Sequence, residues 1–181
     1  SPEFATYSVA QKKAIENALR DFELSGIGLS EEKQKRYGEI VTRLSELSAQ
    51  FSNNVLDATM GWEKVIEDES ELAGLPESAL LAAKQSAESK GLKGCRFTLE
   101  IPSYLPIMTY CENAALREEM YRAYATRASD QGPNAGKWDN TAIIEEIMTL
   151  RVELAKLLGF NTYTERSLAT KMAENPQQVL D

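Results

Sequence analysis

No histidine occurs among the 181 residues. That absence removes Ser-His-Asp and Cys-His catalysis, because both need an imidazole to carry the proton. It also removes HExxH zinc sites, Cys2His2 fingers and Glu-x-x-His di-iron bundles. Cysteine is almost as scarce. Cys95 and Cys111 are too few and too widely spaced for a metal knuckle or a CxxC redox pair. They read as reduced thiols that pack as small hydrophobes in a cytoplasmic protein. Positive charge is also short. With 20 Lys and Arg against 28 Asp and Glu, the net charge is -8 and no basic patch is available to neutralise phosphates. Nucleic acid is therefore not an expected partner. No apolar run reaches the roughly 18 residues that a membrane span needs, so no membrane partner is expected either. No basic-then-apolar leader opens the chain.

What remains is 43% hydrophobic and 27% charged, the balance of a globular domain. The ends read as cuts. Ser1-Pro2-Glu3-Phe4 has the look of a cloning scar, which leaves residues 5–181 as native sequence. Asn175-Pro176 is a good helix opening, followed by only five more residues. The expectation is one piece of a longer protein, truncated at both ends.

The periodicity is mainly helical. Ile15, Ala18, Leu19 and Phe22 form one stripe, broken at Ser25-Gly26-Ile27-Gly28. Tyr37, Ile40, Leu44, Leu47 and Phe51 then step by threes and fours, a heptad-like seam suited to an αα-hairpin or to a partner helix. On its outer surface, Glu32 with Arg36 and Glu39 with Arg43 are expected as i,i+4 pairs. Residues 62–68 and 96–101 alternate and predict two strands, a small antiparallel ribbon that needs helices packed on it. Leu75-Pro76-Glu77 opens a helix that Gly91 ends, and Asn113 caps another. Ile143, Ile147, Leu150, Leu154 and Leu157 predict the most buried stripe, closed by Gly159. The expected fold is mainly α: a multi-helix array with αα-hairpins and one small two-stranded β ribbon.

Little here points to chemistry. Adjacent carboxylates such as Glu31-Glu32, Glu118-Glu119 and Glu145-Glu146 diverge by about 100° on a helix and read as solvated faces. Asp130, Asn134 and Asp139 lack the ligand order of an EF-hand. Gly26-x-Gly28 has neither a preceding strand nor a third glycine. No catalytic residue and no metal ligand is assigned. Tyr104, Tyr110, Tyr121 and Tyr124 lie near Arg117, Arg122 and Arg127 in sequence. Such a set either lines a peptide groove, with Arg gripping carboxylates and Tyr packing, or belongs to ordinary amphipathic helices. Tyr104, Tyr110, Arg122 and Arg127 are the candidate peptide contacts.

Several segments together carry a family resemblance. They include Leu19-Arg20-Asp21-Phe22-Glu23-Leu24-Ser25-Gly26-Ile27-Gly28-Leu29 and Phe51-Ser52-Asn53-Asn54-Val55-Leu56-Asp57-Ala58-Thr59. Ile101-Pro102-Ser103-Tyr104-Leu105-Pro106, Leu116-Arg117-Glu118-Glu119-Met120-Tyr121-Arg122 and Ser167-Leu168-Ala169-Thr170-Lys171-Met172-Ala173 follow in order. The chain resembles the thimet-oligopeptidase family of zinc metallopeptidases over essentially all of residues 6–181. The resemblance implies an N-proximal part of a large, two-domain helical peptidase, cytoplasmic and bacterial, that cleaves short peptides in a deep channel. It implies zinc in the parent protein, held by an HExxH helix and a later Glu, and none in this chain. The segment would build channel wall and bind short peptides and the rest of the parent chain. Its surfaces, left without that remainder, would favour self-association. The rival reading is a free-standing helical interaction module using the Tyr37 to Phe51 seam.

Overall fold

The computed structural model describes residues 2–181. Ser1, part of the suspected scar, lies outside them; Pro2–Thr6 form a short 3-10 turn. Eight α-helices and two short strands follow: α1 Val9–Leu24, α2 Glu31–Met60, β1 Glu63–Ile66, α3 Glu77–Glu88, β2 Cys95–Thr98, α4 Ile101–Tyr110, α5 Ala114–Ala125, α6 Thr141–Leu157, α7 Tyr163–Leu168 and α8 Pro176–Leu180. The mainly α expectation with one ribbon holds. The chain divides into two compact units, Ser1–Leu47 with Glu145–Asp181, and Ser48–Ile144.

In the first unit, Ser8 caps α1 through a capping box with Gln11, a start signal not singled out from the sequence. The Tyr37 hydroxyl donates to Leu24 O at 3.0 Å and the Gln34 amide donates to Ile27 O and Leu29 O, closing the corner between α1 and α2. None of the α1 residues is fully buried. Leu19 and Phe22, read as a packed stripe, are 58% and 60% exposed. The α2 seam instead buries Ile40 and Leu47, and ion pairs tie this half of α2 to α6. Arg36 meets Glu153 and Arg43 meets Glu146, each with Nε at 2.6 Å from a carboxylate oxygen and Nη2 on the other oxygen. The two rungs run in opposite directions along the two helices, so α2 and α6 are antiparallel here. The sequence paired these arginines with Glu32 and Glu39 at i−4. They reach instead forward to Glu39 and Glu46 at i+3, and across to α6. An arginine fork satisfies two carboxylates at once, which a local pair alone does not exploit.

The second unit holds the ribbon. β1 and β2 pair antiparallel, with Lys64 opposite Phe97 and Ile66 opposite Cys95. Trp62, Ile66, Leu72, Cys95, Phe97, Leu99, Ile107, Cys111, Leu116 and Met120 form its core. Here two sequence expectations are corrected. The second strand ends at Thr98, not Ile101, because the Thr98 N–H turns to the Ser103 hydroxyl at 2.9 Å. Pro102 then opens α4 rather than stopping the strand, since a first-turn residue needs no N–H. The most buried stripe is also elsewhere. Ile143, Leu150 and Leu154 are buried on α6, but Cys95, Phe97 and Leu99 around β2 and Met120 on α5 are more so.

The loop entering β2 shows why glycine is required there. Gly94 has φ +86°, and a Cβ would stand 2.4 Å from Ile66 O across the ribbon. Gly91, with φ +69°, closes α3 in open space. Gly94→Ala is expected to cost about 1–3 kcal/mol or more, through strain plus the clash. Gly91→Ala should cost roughly 1 kcal/mol from backbone conformation alone. Urea unfolding of the two variants checks the order; equal losses would mean that the ribbon gives way freely at Ile66.

Candidate functional site

The candidate contacts gather in the second unit, around α4 and α5. Asn113 starts α5 by accepting from the Ala115 and Leu116 N–H groups, and this sets the helix phase. Tyr121 and Tyr124 then lie three residues apart on adjoining turns. Tyr104 of α4 stacks on Tyr124, with ring centroids 4.2 Å apart and planes inclined by 17°. The Arg127 guanidinium covers Tyr124 at 3.6 Å from the ring centroid. Arg127 is held by two further bonds, Nε to Tyr124 O at 2.9 Å and Nη1 to the Thr59 hydroxyl at 2.6 Å. The result is a layered column of Tyr104, Tyr124 and Arg127, half-buried along its length. A cation over an aromatic face is stabilised by the ring quadrupole, so the three groups hold one another in place. Burial pushes the Tyr104 hydroxyl pKa up; the neighbouring Tyr124 and Tyr121 add to this, and Arg127 partly offsets it.

Tyr110 and Arg122 stand differently. Tyr110 ends α4 with 54% exposure, and Arg122 lies on an exposed position of α5. Neither joins the column. Tyr121, 59% exposed, does lie beside Tyr104. The sequence places these residues near one another but does not give their partners: a stack of i,i+3 residues against another helix is a tertiary fact. Arg117, also in the sequence cluster, is engaged with Cys111 O.

The residues present do not fit a zinc ion. There is no histidine, and among the described residues no group of three or more His, Cys, Asp or Glu converges. Cys95 and Cys111 are both buried; burial pushes the Cys95 thiol pKa up, away from the thiolate that a metal needs. Among the described residues no helix is long and apolar enough to cross a membrane.

Comparison with known proteins shows what the chain is similar to. Residues 107–181 match the profile of peptidase family M3. The whole chain is 87% identical over 181 residues to oligopeptidase A of Haemophilus influenzae, of which it covers 27%. The resemblance is to oligopeptidase A. The Escherichia coli oligopeptidase A is 74% identical over 98% of the chain, which covers 26% of that protein. A thimet-like oligopeptidase of Dictyostelium discoideum is 29% identical over 94% of the chain, covering 24% of its own length. The chain thus spans about a quarter of the length of the curated relatives it matches. The matched span takes in both structural units.

Proposed function

We propose that this chain is the N-proximal, non-catalytic helical part of a cytosolic zinc-dependent oligopeptidase that hydrolyses short peptides, and that it forms part of the wall of the substrate channel. The observation that carries this reading is the 87% identity to an oligopeptidase A along the entire chain. Identity at that level supports a shared fold and a shared parent activity. The chain's own residues supply no ligand set for the metal, so zinc and the groups that activate water would come from the rest of a longer protein. In that protein the column of Tyr104, Tyr124 and Arg127 is the proposed peptide-facing feature, with Tyr110 and Arg122 as outer contacts. Tyrosine faces suit peptide side chains, and the guanidinium suits a peptide carboxylate.

The rival module reading needs the Tyr37 to Phe51 seam for a partner. Within the chain that seam already buries Ile40 to 0% and Leu47 to 1% exposure.

Two measurements test the proposal. The 181-residue chain should carry no stoichiometric zinc by metal analysis and should not cleave a quenched fluorogenic peptide, with or without added zinc. In a full-length enzyme carrying the same segment, Arg127→Met should raise KM for a short peptide several-fold while kcat changes little, since a wall contact contributes to substrate binding rather than to the chemical step. Chelator-sensitive cleavage by the chain alone would end the non-catalytic assignment. An unchanged KM would remove the column from the channel.

A further inference from the structure

Helix α1 of the first unit shows its polar side to the protein and an apolar side to water. Its half-buried residues Asn17, Arg20 and Leu24 share one face. Ala14, Ala18 and Phe22, with Ile15 and Leu19 beside them, recur at helical spacing on the other. Leu19 is 58% exposed, Phe22 60%, and Ile27 just beyond the helix 62%. A helix in a protein takes most of its stability from the packing of one apolar face. A contiguous apolar stripe turned to water marks an interaction surface rather than a scatter of single residues.

The stripe has a specific shape. Ala18, Asp21, Phe22 and Ser25 stand at i, i+3, i+4 and i+7 and, with Ile27, line an open groove of about 420 Å³. Four residues at this spacing make the hole that a side chain of a facing helix fills. The polar members are already engaged. Asp21 accepts from Arg20 Nε at 3.2 Å and Nη2 at 3.0 Å, and the Ser25 hydroxyl donates to Phe22 O at 2.7 Å. The groove therefore suits an apolar knob and not a polar ligand.

Helix α1 itself supplies that knob. Turned end for end about Ala18, a second α1 sets its Ile15 against the groove and its Phe22 over Ala14, whose single methyl leaves room for the ring. Ala18 meets its own copy, so the axes can approach closely. Charge selects the direction. Lys12 and Glu23 are separated by about three helical turns and lie on the same flank of the stripe. Antiparallel pairing brings Lys12 to the partner's Glu23, whereas parallel pairing keeps the two at opposite ends. Lys12 donates one proton to Ala5 O at 3.1 Å, and its ammonium has two more to give. Unlike charges at the contact matter in a chain whose net charge of -8 repels its own copies at long range.

We propose that α1 is a self-association face, through which two copies of the chain pair antiparallel about a two-fold axis at Ala18. The contact is isologous, so each knob and each ion pair occurs twice. One helix pair buries less than the roughly 1,200 Å² of a standard interface, so the dimer is weak, with a Kd on the order of 10–100 μM.

Sedimentation equilibrium of the 181-residue chain, from about 5 to 500 μM, tests this. A monomer–dimer equilibrium is expected. Phe22→Ser, at an exposed position, should leave the melting temperature of the dilute chain unchanged and weaken dimerisation about tenfold or more, since two rings leave the contact. Lys12→Glu and Glu23→Lys should each weaken it several-fold. An equimolar mixture of these two variants should dimerise like the original chain, because every Glu then faces a Lys. A monomer over the whole range would leave the stripe to a segment of a longer protein and overturn the self-pairing. So would a dimer that survives Phe22→Ser, which would form on another exposed face such as Ile144, Met148 and Val152 of α6. A mixture no tighter than either variant alone would overturn the antiparallel arrangement.

Discussion

Phe97→Ala should unfold the chain more readily than any other single truncation described here. Phe97 sits on β2 at 2% exposure, opposite Lys64, within the cluster that also holds Leu72, Leu99, Ile107 and Met120. Removing a buried phenyl ring costs about 3–5 kcal/mol through lost burial and the cavity left behind. A domain has only about 5–15 kcal/mol in all. The ribbon makes the loss worse, because a two-stranded sheet owes its stability to what packs on it. Urea unfolding should show a lower midpoint with little change in slope. Phe97→Leu, which keeps most of the volume, should recover more than half of the loss. A change below about 1 kcal/mol for the alanine variant would mean that the cluster is not packed in solution.

Leu154→Ala comes next, at about 2–5 kcal/mol, because Leu154 is 3% exposed on α6. At roughly 2–4 °C per kcal/mol for a chain of this size, its melting temperature should fall by about 5–15 °C. Glu146→Ala, eight positions earlier on the same helix, is the informative control. The sequence reads Glu146 as a solvated charge of no consequence, whereas the structure joins it to Arg43. Its effect should be small but measurable, because both partners are more than a third exposed and water screens the pair. It should also depend on pH. The Arg43 hydrogen bond, less the opposing cost of burial, lowers the Glu146 pKa. The contribution is therefore fully present above the unfolded carboxyl pKa of about 4.3 and disappears as pH falls through the depressed folded value. Melting curves of the two proteins should converge once pH falls below that depressed value, and in high salt. A Glu146→Ala loss equal to that of Leu154→Ala would place the pair, not the apolar stripe, at the centre of the α2–α6 packing.

Much of this architecture was legible in the chain because its signals are local. Asn113, Asn175-Pro176, Gly91 and Gly159 mark helix ends by their own backbone chemistry, and each performs that role. The period-two patterns around Glu63 and Arg96 found the ribbon. What the pattern missed depends on distant partners. Ile101 alternates like a strand residue, but the turn is decided by the Thr98 to Ser103 bond. The α1 stripe has helical spacing without a full-length partner to cover it, so Phe22 remains 60% exposed. The side chain of Asn140, buried to 2% exposure, accepts from the Asn54 amide on α2 and donates to Phe51 O, while Asp139 accepts from the Thr141 N–H. At the candidate site, the sequence supplied Tyr104 and Arg127 but not the stacking of Tyr104 on Tyr124. Nor does periodicity single out Thr59, which anchors Arg127 from α2.

The paired rungs between α2 and α6 also act as a vernier on helix register. Arg36 and Arg43 are one heptad apart, as are Glu153 and Glu146. Sliding α6 by about one turn would set the two arginines against Thr149 and Ala142 one way, or against Leu157 and Leu150 the other. No carboxylate receives either fork in those alignments, and the apolar stripe turns toward water as well. Sliding by a full heptad keeps the stripe facing inward but restores one rung of the two. Only one alignment satisfies the oily and the ionic patterns together. The pairs therefore contribute less to how firmly the helices are joined than to which of several similar joinings is chosen.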